Sequence, residues 1–269
     1  MNGTADLKQL CDTIFKEMDK FANEHRTVCE GFNFSYSPED SWKISTNILL
    51  LTIKTKGEGK PCIPASPWPR KNDFFTHLWG ASFQERLLTI PAEIARHKKV
   101  PVTEPYWRDK RLETFVDSNM VLASFIPFRT RPKTENKDWE KEMLEFAQTR
   151  YWARLLAVWQ PHLIITAGRD PDKWVRQVLE NMSWTVSPQP LPVASSPQDN
   201  LPDLYRGMFH ISRCTHSSGK SIYVLGVPNP KAQGYTVYQR KKNPFPPNQT
   251  PIQKFLRAAL SAYPLLTDH

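Results

Sequence analysis

Four predominantly apolar runs punctuate the chain: Asn47–Ile53, Met120–Phe125, His162–Ala167 and Ser221–Val227. A strand with one wet face alternates apolar and polar side chains. An unbroken run is the mark of a strand covered on both faces, the situation inside a parallel sheet. Between the runs lie stretches with helical spacing. Ala5–Asn23 aligns Leu7, Leu10, Cys11, Ile14, Phe15, Met18 and Phe21 on one stripe. Asp138–Gln160 does the same with Leu144, Phe146, Ala147, Tyr151, Leu155 and Val158, and Pro161 closes it. Gly168-Arg-Asp-Pro opens a helix with a turn glycine, an acidic cap and a proline in the first turn. Asn72-Asp-Phe-Phe is another helix start, and Ile252–Ala262 is the last helix. Gln84–Arg111 reads as irregular helix and loop, and Ser183–Pro202 as a Pro/Ser-rich connector. Phe209–Cys214 is a further strand candidate, joined to Ser221–Val227 by a His216–Lys220 turn. Strand–loop–helix units in this succession predict a three-layer α/β/α sandwich around a short, mainly parallel sheet. One domain is expected over residues 1–269, with a helical extension over 1–45 and a basic, proline-rich stretch plus helix over 236–269.

The loops that follow the runs change the picture from fold to chemistry. Val227-Pro-Asn-Pro230 ends its run abruptly, because each proline removes a backbone donor and fixes its own φ. Loops at the carboxyl ends of strands are where open α/β sheets bind ligands. The other exits are Lys54–Lys71, rich in Gly, Pro and Lys; Pro127–Pro132, with Arg129 and Arg131; and Gly168-Arg169. Charge supports the same focus: 36 Lys+Arg against 27 Asp+Glu give +9, which favours a polyanionic partner.

Several chemistries drop out. Cys11, Cys29, Cys62 and Cys214 are too far apart for a zinc or iron–sulfur spacing, and His162, His210 and His216 form no metal pair. Gly219-Lys220-Ser221 looks like the tail of a phosphate-binding loop, but Cys214 stands where its first glycine belongs. There is no Gly-x-Ser-x-Gly elbow. The amino terminus lacks an apolar signal core and no run is long enough to span a bilayer. A reduced, cytoplasmic, monomeric protein without metal, cofactor or membrane partner is the expectation.

Taken together, the four runs and their exits resemble the uracil-DNA glycosylase superfamily over roughly residues 48–234. Val227-Pro-Asn-Pro230 is similar to the Asn-Pro variant of that family's second active-site motif in mismatch-specific members. Ser118-Asn119-Met-Val-Leu with Pro127-Phe-Arg-Thr130 resembles its second-strand segment, Pro161–Gly168 its third strand and glycine turn, and Asn72–Trp79 the helix after its first active-site loop. The resemblance implies a four-stranded sheet in the order 2-1-3-4 and a monofunctional enzyme that flips a base from DNA and hydrolyses its glycosidic bond. It further implies that Asn119 reads the base edge, that Trp68 or Phe74 stacks on the base, and that Asn229 sits against sugar and base. Lys231 and Gln233 would enter the vacated stack, with Lys56, Lys60, Arg129, Arg131 and Arg169 along the DNA. The first motif departs from the family. Where a water-activating acid or amide is usual, position points to Lys54 or Thr55, chemical type points to Glu58, and Asp73 is a third candidate. The altered, cationic loop points to a base other than uracil; relatives that act on bulky modified cytosines in phage defence make such a base the expected substrate. A non-catalytic nucleic-acid-binding module on the same fold is the alternative.

Overall fold

In the computed structural model the chain is described over residues 3–54, 64–76, 81–131, 137–191, 209–230 and 250–263. Its strands are β1 (Cys29–Phe32), β2 (Ile48–Lys54), β3 (Met120–Ile126), β4 (Phe128–Thr130), β5 (Leu163–Ala167), β6 (Trp184–Pro188), β7 (His210–His216) and β8 (Ser221–Val227). The four apolar runs become β2, β3, β5 and β8, which lie parallel in the order β3-β2-β5-β8. The expected sheet of four strands falls two short. β7 pairs antiparallel with β8, and β6 with β7, to give six strands. β6 comes from the expected connector; as an edge strand with mostly uncovered side chains and a terminal proline, it has no apolar run to betray it. The turn between β7 and β8 places Gly219 at φ 86°, a hairpin and not a phosphate cradle.

The helices are α1 (Gly3–Glu24), α2 (Asp73–Thr76), α3 (Ala81–His97), α4 (Lys110–Asn119), α5 (Lys137–Phe146), α6 (Ala153–Val158), α7 (Arg169–Asn181) and α8 (Pro251–Ala262). A π turn over Ala147–Trp152 joins α5 to α6. Alternation along the buried strands feeds two cores at once. Leu49, Leu51, Val121, Ala123, Ile164 and Val224 pack with α1, α5, α6 and α7. Ile48, Leu50, Met120, Leu122, Leu163 and Leu225 pack with α3, α4 and α8. That double demand is why the runs are unbroken. The N-terminal helix is no appendage: Leu7, Cys11, Ile14 and Met18 are 0% exposed within one of these layers. Likewise α3 runs through Pro91 where irregular structure was expected.

α4 starts at Asp109, whose carboxylate accepts from Arg111 N–H at 2.8 Å and Leu112 N–H at 3.3 Å, and from Thr103 N–H at 2.6 Å. Burial pushes this carboxyl up; the hydrogen bonds from Thr103, Leu112 and Arg111 outweigh that and hold it below the usual range. A depressed native pKa stabilises the fold fully above the unfolded value near 3.9, and the contribution is lost as pH falls through the native pKa. Asp109→Ala is therefore expected to cost about 1–2 kcal/mol at pH 7. The gap from the wild type should close below about pH 4 in urea titrations. An equal gap at pH 7 and pH 2.5 would refute the assignment.

Candidate active site

Three parallel strands leave the sheet at one junction. Gly168 follows β5 with φ 126°, a conformation suited to glycine, and its N–H donates to the Val227 carbonyl at 2.8 Å. A Cβ on Gly168 would lie 3.3 Å from Cδ1 of Ile53, so β2 reaches the same point. From this junction β8 runs into Pro228, which is buried, Asn229, which is half-buried, and Pro230, also buried. Arg86 of α3 ties the stop down by donating to the Pro230 carbonyl at 3.2 Å. The next register pair inward, Thr166–Gly226, is braced by Asp172 of α7. Asp172 is 3% exposed, pairs with Arg176 at 2.6 Å, and would stand only 2.9 Å from a Cβ on Gly226.

β3 reaches the edge beside β2, with Ile126 in register with Lys54. A hydroxyl group of residues lies just inside this part of the edge. Ser124 Oγ is 2.6 Å from Tyr36 Oη and 3.3 Å from Thr52 Oγ1. After Pro127 the chain forms β4, which pairs antiparallel with β1 as a separate two-stranded ribbon. Asn33 N–H donates to the Pro127 carbonyl at 2.8 Å and anchors the ribbon to the exit of β3.

The predicted residues divide. Asn229, Arg129 and Arg169 all stand at the carboxyl edge; Arg169 is the exposed first residue of α7. Arg129 donates through Nη2 to Asn33 Oδ1 at 3.1 Å, and Arg131 at the end of the ribbon donates to the Arg26 carbonyl at 3.1 Å. Asn119 does not join them. It ends α4 and precedes β3, so a seven-residue strand separates it from the carboxyl edge, about 20 Å away. Its amide donates to the Phe115 carbonyl at 2.8 Å, the ordinary satisfaction of a helix end. Phe74 is 1% exposed with its ring edge-on to Tyr36 at 5.0 Å, a core residue without an open face for stacking. Trp68 is half-buried against Phe34, and its indole N–H is buried without a hydrogen-bond partner among the described residues. Asp73 opens α2, its N–H held by the Tyr36 carbonyl at 2.9 Å. Lys54 closes β2; its side chain, and Thr55, Lys56, Glu58, Lys60, Lys231 and Gln233, lie outside the described residues.

No protein-family model and no curated protein matches this chain. The residues themselves carry the reading. Two that the sequence did not assign to a site belong to this edge. His210 is exposed at the start of β7, opposite Gly226, because β7 runs antiparallel and so begins where β8 ends. Glu30, in β1, is 3% exposed. Among the described residues no group of three or more His, Cys, Asp or Glu is placed to hold a metal ion, and no helix is long and apolar enough to cross a membrane. A concavity of about 330 Å³ opens at the opposite, amino edge of the sheet, where Asn47, His162, Trp184 and Lys220 meet the exposed Ile44 and Val158.

Proposed function

We propose that the protein is a monofunctional DNA glycosylase, which takes a flipped, damaged or modified base at the carboxyl edge and hydrolyses its N-glycosidic bond to leave an abasic site. The observation that supports this best is the junction of exits. Gly168, at the end of β5, bonds Val227 on one side and lies against Ile53 on the other, so the chain leaves β2, β5 and β8 toward Lys54, Arg169 and Asn229 along one edge. Breaking the bond between C1′ and the base nitrogen leaves positive charge on the sugar and negative charge on the departing base. Such a reaction needs donors aimed at the base and a polar group that orients water. Asn229 has both a donor and an acceptor on one amide and is held rigidly between prolines. Lys54 and Glu58 are the candidates for neutralising the base and for activating water. Arg131 and Arg169 are the phosphate-contacting groups, with Lys56, Lys60, Lys231 and Gln233 in the flanking loops.

The test is direct. Purified protein is incubated with oligonucleotides carrying uracil, 5-hydroxymethylcytosine or glucosylated 5-hydroxymethylcytosine, and abasic sites are revealed by alkali cleavage. Breaks at the modified cytosines are the expected result. Salt-sensitive binding with no break on any of the three strands would overturn catalysis and leave a nucleic-acid-binding module on the same sheet.

A further inference from the structure

The β1/β4 ribbon carries an unusual polar face. Cys29 stands opposite Thr130 and Gly31 opposite Arg129, so Glu30 is the inserted residue of a bulge. Cys29, Phe32 and Phe128 pack into the core beneath α1 and α5. Alternation then puts Gly31, Asn33 and Arg129 on the other face, and the inserted residue joins them there. The bond from Arg129 Nη2 to Asn33 Oδ1 agrees with that placement. Neither carboxylate oxygen of Glu30 has a hydrogen-bond partner among the described residues, and neither has the buried Nε of Arg129. Gly31, in register with Arg129, adds no side chain to this face. Burying a carboxylate without a donor is costly, and satisfying it with a ligand removes the cost.

The chemistry of what would satisfy this face is definite. Glu30 offers acceptors only and Arg129 Nε offers one donor. Their complement is a donor beside an acceptor. At position 4 of a pyrimidine an exocyclic amino group beside the N3 acceptor supplies it, whereas uracil and thymine, with a carbonyl at that position, supply it only one place along, through N3–H and a carbonyl. The ribbon is fastened at the exit of β3, on the same edge as Asn229. We propose that Glu30 and Arg129 read the flipped base: Glu30 accepts from its amino group, Arg129 donates to the neighbouring acceptor, and a keto base is rejected because its oxygen would face the carboxylate. The assignment rests on the glycosylase reading for the identity of the ligand as a base.

The decisive pair of substrates is 5-hydroxymethylcytosine against 5-hydroxymethyluracil, which differ at the amino position and not in the added group. Each is presented in a cleavable strand and in a 2′-fluoroarabino strand that resists cleavage, so that turnover and affinity are read separately. The wild type is expected to favour the amino base by about tenfold or more in both measurements. Glu30→Gln, whose amide can also donate, should bring that ratio below about threefold while leaving the melting temperature unchanged or higher. Arg129→Gln, changed on the other strand, should weaken binding of the amino base by about tenfold. An unchanged ratio in Glu30→Gln overturns the assignment, whether or not its melting temperature falls, and so does unchanged binding of the amino base by Arg129→Gln. Should Glu30→Gln not fold, the Arg129 variant decides. If the wild type cleaves and the ratio is insensitive to Glu30, this assignment fails and the glycosylase reading stands. If no strand is cleaved but the binding ratio depends on Glu30, the enzyme reading fails and base recognition stands.

Discussion

Asn229→Ala is expected to slow single-turnover base release by about 10²–10³-fold, the usual effect of removing one preorganised polar group from a reacting centre. Affinity for uncleaved DNA should change by no more than about threefold, because the phosphate contacts that dominate it come from elsewhere on the edge. The split follows from where Asn229 sits. Buried Pro228 and Pro230 fix the backbone on both sides of it, and the bond from Arg86 to the Pro230 carbonyl holds the far end, so shortening the side chain leaves the loop in place. Single-turnover kinetics beside a binding titration on a 2′-fluoroarabino strand separate the two quantities. Turnover within threefold of the wild type would remove Asn229 from the chemistry.

The largest effect on stability is expected at Trp152. Its indole is 1% exposed, donates to the Phe125 carbonyl at 2.8 Å and stacks on the Phe125 ring at 6.2 Å. The π turn explains how it gets there. Tyr151 and Trp152 are both buried, Tyr151 donating to the Phe34 carbonyl, although neighbours on an ordinary helix point about 100° apart. Widening the turn brings consecutive side chains under β3 and under the segment that follows β1. Trp152→Ala should cost about 3–5 kcal/mol from the cavity and lost packing. It also leaves the Phe125 carbonyl unpaired, so the melting temperature should drop by about 10 °C or more. Trp152→Phe, which keeps most of the volume but not the donor, should cost about 1–3 kcal/mol. Thermal unfolding of both variants checks the order; a larger loss in the phenylalanine variant would contradict it.

The parallel strands were legible because each serves two cores. Leu49 and Leu50 face opposite layers, and no polar side chain can sit between them. The elements that escaped are those without such pressure. β6 is an edge strand, and β1 and β4 are three- or four-residue pieces with a bulge, too short to show a period. The error at Asn119 has a simpler cause. Adjacency to an apolar run does not say at which end of the strand a residue lies, and Asn119 is at the start of its strand while the exits form the site. His210 was invisible for the complementary reason: only an antiparallel extension brings the beginning of a strand to the edge where the others end. Glu30 lies in a polar, turn-rich stretch, where a carboxylate is ordinarily solvated; only its burial singles it out.

The pairing that carries Glu30 and Arg129 also has a place in time. Cys29 meets Thr130 across roughly a hundred residues of chain, a closure comparable to that of β2 with β5, so the ribbon forms only once distant parts of the chain have come together. In the finished molecule the same short ribbon is anchored by Cys29, Phe32 and Phe128, which are buried in the layer beneath α1 and α5, so opening it would expose apolar surface. The groups assigned to choosing the base thus ride on a long-range pairing that the core beneath it holds in place.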